Sequence, residues 1–310
     1  MAEAACVGCL GGVRKCVKQT ANNTMSQPLE HIVETDDDRA TDPCSRLISA
    51  ARHKDMEKVK KLLEAGADKE KGLVNYCAVQ HAASFGMVEV LKVFQEAGMD
   101  MEYSGGSKYA SPLWLATYAK HYDVMRFLLC AGVQTDVVYD HGGPVLTVAS
   151  ANNDNVAITM LVDAGADVNV CDEVGLTPLM YVCGRGNGQM AKYLLKHGAD
   201  VNARDRRGAT ALHHAVLLCF YEVTLAALLD AGADMYALWN GMTAEECAET
   251  LGIRKAVMFF RARKNIRQWK GVVRCLIAFK AHRERWMSPD GAGFVYARNR
   301  FMTTMEQQSK

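Results

Sequence analysis

At 310 residues the chain is long enough to bury a hydrophobic core. Its 49% hydrophobic and 23% charged residues are ordinary for a folded protein, and no apolar run approaches the ~18 residues of a spanning helix. The net charge of +1 hides an asymmetry: residues 254–286 hold eleven Lys or Arg against one acid, Glu284, so the residues before them are acidic overall.

Residues 1–43 show no repeat. The opening MAEAACVGCLGGVRKC lacks the long apolar stretch of a secretory signal. The polar stretch from Gln19 to Gln27 and the acidic run from Glu34 to Asp38 read as disordered linker over 20–43. Cys6, Cys9 and Cys16 lie near Arg14, Lys15 and Lys18 and leave three readings open. They are an unmodified tail, acylation sites, or metal ligands short of a convincing fourth. The 11 cysteines of the chain are odd in number and mostly scattered, which suits buried thiols in a reducing compartment. The expected location is the cytoplasm, with the nucleus as the alternative.

From residue 44 onward a unit recurs. Its ending reads LLEAGAD at Gly66, FQEAGMD at Gly98, LLCAGVQ at Gly132, LVDAGAD at Gly165, LLKHGAD at Gly198 and LLDAGAD at Gly232. The glycines are 32, 34, 33, 33 and 34 residues apart, a period that marks a repeat array. The glycine sits where a helix ends in a left-handed residue. Each unit opens on a helix-entry signal, clearest at Thr177-Pro178-Leu179, where Thr caps and Pro takes the first helical position. Ser111-Pro112-Leu113, Thr210-Ala211-Leu212-His213 and Thr243-Ala244 are related starts. Ala82, Ala116, Ala149, Ala215 and Ala248 fall where two helices must touch. Apolar pairs such as Leu62-Leu63, Leu128-Leu129 and Leu194-Leu195 mark the second helix, with Leu195 expected between helices. A unit of two short helices and a projecting turn buries its apolar face only by stacking on its neighbours.

This pattern resembles the ankyrin repeat family over about residues 44–268, in seven copies, most completely from Leu176 to Gly208. The fold expected is all-α: a helix-turn-helix repeat solenoid, preceded by residues 1–43 and followed by a basic helical and polar extension over 269–310. Several copies depart from the family pattern. Only repeat six keeps the motif's His, as His213, and repeat three has Trp114 in its place. The resemblance implies that the turn tips and the exposed side of the first helices line a concave binding groove. On that basis the candidate partner contacts are Phe85, Tyr103, Trp114, Tyr118, Tyr139, Tyr181, Arg185, Arg206, His214 and Trp239. They are rich in the aromatic and Arg residues that dominate binding energy. Phe85, Tyr118 and Tyr181 are expected to form one strip.

From Ile253 to Trp286 basic and large apolar residues alternate in a helix-friendly composition. The basic set is Arg261, Arg263, Lys264, Arg267, Lys270, Arg274, Lys280, Arg283 and Arg285. Such helices cap a neighbouring repeat, or bind calmodulin-like grooves or anionic membranes. No phosphate loop, zinc-protease helix or nucleophile elbow occurs, so neither catalytic residue, metal nor cofactor is expected. The function expected is a protein-interaction scaffold or adaptor. The alternatives are a ubiquitin-ligase substrate adaptor, suggested by Val273-Arg274-Cys275-Leu276, and a regulator acting through the basic helix. Nucleic-acid binding has only the basic cluster in its favour.

Overall fold

The computed structural model describes residues 43–65, 73–102, 111–136, 143–218 and 222–265. Helices come in pairs. The inner and outer helices of successive repeats are α1 (Pro43–Arg52) with α2 (Met56–Glu64), α3 (Leu73–Ser84) with α4 (Val88–Glu96), and α5 (Pro112–Tyr118) with α6 (Tyr122–Cys130). Next come α7 (Val145–Ala151) with α8 (Asn155–Asp163), α9 (Pro178–Gly184) with α10 (Gly188–Lys196), and α11 (Ala211–Leu218) with α12 (Glu222–Asp230). The inner helix α13 (Ala244–Thr250) follows, and residues 254–265 are helical. The described residues contain no strand, only isolated bridges Arg204–Thr210 and Trp239–Met242, so the all-α expectation holds. No described helix is long and apolar enough to cross a membrane. The chain divides into two units, one ending at Ala256 and one beginning at Val257.

The helix starts follow from the entry signals. Ser111 accepts a hydrogen bond from Trp114 N, Thr177 from Met180 N, and Thr243 forms a reciprocal capping box with Glu246. Each inner helix then packs on the inner helix of the next repeat. Small residues permit this: Ala82, Ala116, Ala149, Ala215 and Ala248 are all fully buried. Between α10 and α12 a glycine permits a close approach. A Cβ on Gly188 would lie 2.8 Å from Val223 Cγ1 and 3.0 Å from Thr224 N, so only glycine fits there.

The recurring glycine closes every described outer helix from α4 to α12 in the same way. Gly98, Gly132, Gly165, Gly198 and Gly232 have φ between +79° and +92°. Each donates to a carbonyl three residues back, and the next residue donates to one five residues back, as in Gly198 N to Leu195 O and Ala199 N to Leu194 O. This is the Schellman arrangement, in which the residue after the glycine packs against the carbonyl's owner. The owners Phe94, Leu128, Leu161, Leu194 and Leu228 are accordingly fully buried. This corrects the expectation for Leu195, which is half-buried; Leu194 is the core member of that pair. Leu194→Ala is expected to cost about 2–5 kcal/mol in urea denaturation, and Leu195→Ala clearly less. Equal losses would contradict this register.

Candidate protein-interaction surface

Polar side chains on the turns bind one repeat to the next. Glu102, Asp136, Asn169 and Asn202 occupy equivalent positions. Each accepts from a backbone N–H of the following repeat: Gln134, Asp167, Asp200 and Asp234, the last three at 3.1, 2.8 and 2.8 Å. Asn169 and Asn202 also donate to Gly198 O and Gly232 O in the next repeat. Asp167, Asp200 and Asp234 meanwhile hold their own turns by accepting from the residue two positions on.

A second device fixes the projecting turns, here called fingers. In repeat five Asp172 accepts from Val174 N and Leu176 N, and Tyr181 Oη donates to its other oxygen at 2.6 Å. In repeat six Asp205 accepts from Arg207 N and Ala209 N, and His214 Nε2 donates to it at 2.9 Å. Asp172 and Asp205 are repeat equivalents, as are Tyr181 and His214. Burial pushes the Asp205 carboxyl up, but His214 and the backbone donors outweigh it and hold it below the usual range.

This corrects several expected groove residues. His214 is 3% exposed and faces its own finger, so it is not presented to a partner. Trp114 and Trp239, each 2% exposed, are core residues. Trp114 stacks on Tyr118 at 5.4 Å, and Trp239 meets His213 edge-on at 6.0 Å. Half-buried Tyr181 is tied to Asp172. Phe85 is 51% exposed and stacks on buried His81 at 4.4 Å. Arg185 caps the end of α9 and is exposed, as is Arg206. Counted from the equivalent buried residues Ala82, Ala116 and Val182, the expected strip does not line up. Phe85 lies three after, Tyr118 two after and Tyr181 one before. They therefore do not share one repeat-equivalent row. Tyr103, Tyr139, Arg267, Lys270, Arg274, Lys280, Arg283 and Arg285 lie outside the described residues. Arg261 is exposed, and Arg263 and Lys264 are half-buried.

Two features were not read from the sequence. Leu238, in the finger of repeat seven, is 53% exposed, two residues from the turn-tip residue Tyr236, which is 63% exposed. The turn ladder was missed as well, although Asp-Val-Asn recurs 33 residues apart at 167–169 and 200–202.

The arrangement defines a stacked helix-pair protein whose described turns are hydrogen-bonded from one repeat to the next. The ankyrin repeat model, in three copies, matches residues 47–138 and 146–251, and the chain belongs to that family. Protein phosphatase 1 regulatory subunit 27 of Mus musculus is 34% identical over 72 residues, 23% of this chain and 47% of the relative. The chain thus spans about half the length of that curated relative.

The histidine in the helix-start motif is structural. Thr210 N donates to His213 Nδ1 at 3.2 Å, and His213 Nε2 lies 3.4 Å from Met242 O, which it reaches as a donor. Burial disfavours the cation and outweighs the bond to Met242 O that favours it, so the pKa falls to about 4. Burial and then the Arg52 charge bring His81 to about 4 too. In the unfolded chain both take up protons near pH 6.5. The unfolded state therefore binds more protons, and stability falls as pH drops from about 6.5 toward 4. Between pH 7.5 and 5 each histidine should cost up to about 2 kcal/mol. Urea melts of His213→Gln should show a flatter pH profile than the parent, and an unchanged slope would contradict this assignment.

Proposed function

We propose that this chain is a protein-interaction adaptor that holds its partner on the finger tips and the exposed ends of the inner helices. The observation that carries this reading is the exposure of the large apolar side chains Phe85, Tyr236 and Leu238 at an inner-helix end and on the finger of repeat seven. Exposed aromatics on a rigid surface lose little entropy on binding and bury much area. Catalysis is disfavoured by how the polar groups are used. Asp172, Asp205, Tyr181, His213 and His214 all serve as struts. Ankyrin repeats in general mediate protein–protein interaction, and the likeness to a phosphatase regulatory subunit supports regulation by binding. Over an aligned stretch of 72 residues, about two repeats' worth, that likeness supports a repeat module more than it supports a phosphatase as partner.

Affinity capture from cell extract tests this, with hydrogen-exchange footprinting of the captured complex. A chain carrying Phe85→Ser, Arg185→Glu and Tyr236→Ser should keep its helical circular dichroism and lose the main partner. The parent's footprint should fall on fingers and inner-helix ends. A retained partner with protection confined to the outer helices would overturn the reading.

A further inference from the structure

We propose that the fingers of repeats five to seven form a docking site for an acidic peptide segment of a partner protein that carries large apolar residues at alternating positions. This rests on the adaptor reading above and names the chemistry of its partner.

The charge is the first reason. Arg204, Arg206 and Arg207 are all exposed within four residues. The acid among them, Asp205, has a side chain only 5% exposed and paired with His214, so its charge does not project outward. The finger therefore shows cations to solvent while its anion is spent inside.

The apolar pattern is the second. From Met235 to Asn240 burial alternates strictly: Met235, Ala237 and Trp239 are buried, while Tyr236, Leu238 and Asn240 are exposed. Alternation of this kind is the surface of an extended segment with one face anchored in the core and one left open. The open face carries a Tyr and a Leu two residues apart, the spacing that matches alternate side chains of an extended ligand.

Rigidity is the third. Arg206 N donates to Val174 O at 3.1 Å, joining finger six to finger five. The Arg204 guanidinium donates to Leu238 O at 3.1 Å, joining it to finger seven. A Cβ on Gly175 would lie 2.9 Å from Arg206 N, so fingers five and six are in close backbone contact. Cationic and apolar groups are thus held in fixed relation before a ligand arrives, which lowers the ordering cost of binding.

The chain's own acidic run, Glu34 to Asp38, does not fit as an occupant in cis. Even Glu34, the far end of the run, is only nine residues before Pro43, a reach of at most ~32 Å. Stacked helices lie ~8–10 Å apart, so repeat six is roughly 40 Å or more from repeat one. A nucleic acid is disfavoured too. Exposed Glu173, Asp200 and Asp234 flank Arg204 to Arg207 in sequence and in the neighbouring repeats, which confines the cationic surface to a short stretch that suits a few carboxylates better than a continuous phosphate backbone, and Leu238 offers no face for base stacking.

The test uses the full chain and a short fluorescein-labelled peptide of Asp and Glu with Phe and Leu at alternate positions. The controls are the same peptide with Lys for every acid, an all-Glu peptide, and a single-stranded oligonucleotide. Fluorescence anisotropy should show binding of the first peptide that weakens with salt. Arg206→Glu and Leu238→Ser should each reduce affinity roughly tenfold while leaving the melting temperature unchanged. Arg206→Lys should retain most of it, and amide chemical-shift changes should centre on 204–207 and 236–240. Equal affinity in both variants, no measurable binding, or preference for the Lys peptide or the oligonucleotide would overturn the proposal. If the peptide fails while the Phe85, Arg185 and Tyr236 variant still loses its captured partner, the adaptor reading survives and only this partner chemistry falls. If capture is also unaffected, both fall.

Discussion

A repeat of this size has turn N–H groups that it cannot satisfy by itself, and its neighbour must supply the acceptor. The side-chain oxygens of Glu102, Asp136, Asn169 and Asn202 do so, one per interface, each from the preceding repeat. The inner helices add apolar burial at the same interfaces, through the fully buried alanines. Stability then depends on nearest neighbours, as a one-dimensional array requires. Single bonds of this kind contribute only about 1 kcal/mol each. Their larger effect is on position. They set the rise and rotation between fingers, and so decide which finger side chains stand beside which.

The same economy explains why so few polar groups remain for chemistry. A projecting finger of about ten residues has little core of its own and must be braced. Asp172 and Asp205 do this by taking two backbone donors and one side chain from the inner helix. The helix donor can be Tyr181 or His214 because each places a hydrogen-bond donor at a similar reach from the same helix position. Residues that look like a general acid or base in sequence are thereby committed to structure. The groups left over for recognition are those whose charge or apolar surface points away from the brace.

The repeat itself was legible because glycine at φ near +90° has no good substitute, so it recurs at a steady period. The entry residues were legible for a similar reason, since Thr177-Pro178 satisfies two separate demands of a helix start. The choice between Leu194 and Leu195 was not. It depends on which residue lies three before the C-cap and meets the residue after the glycine, and adjacent leucines look alike until that geometry is known. The groove residues were harder still. His214 and Trp239 have the composition of a binding surface, but the direction of their side chains is set by partners such as Asp205 and His213 that composition does not reveal.

Repeat seven shows what happens when these structural duties end. Counting back from the helix-entry threonines, Leu238 stands where repeats five and six have Asp172 and Asp205, and Cys247 stands where they have Tyr181 and His214. Both halves of the brace are replaced. The finger closes instead as a two-residue hairpin, with Trp239 and Met242 exchanging backbone hydrogen bonds at 2.9 and 3.0 Å. Asn240 and Gly241 at φ +51° and +76° supply the turn that this requires. Tyr236 likewise stands at the position of Asn169 and Asn202, and no further finger follows it among the described residues. With nothing beyond to clamp, the position needs no amide, and a hairpin needs no aspartate brace. Two positions that hold polar struts in the preceding repeats can then carry Tyr and Leu to the surface. The exposed apolar pair thus arises at the end of the ladder, where the array no longer needs those side chains for itself.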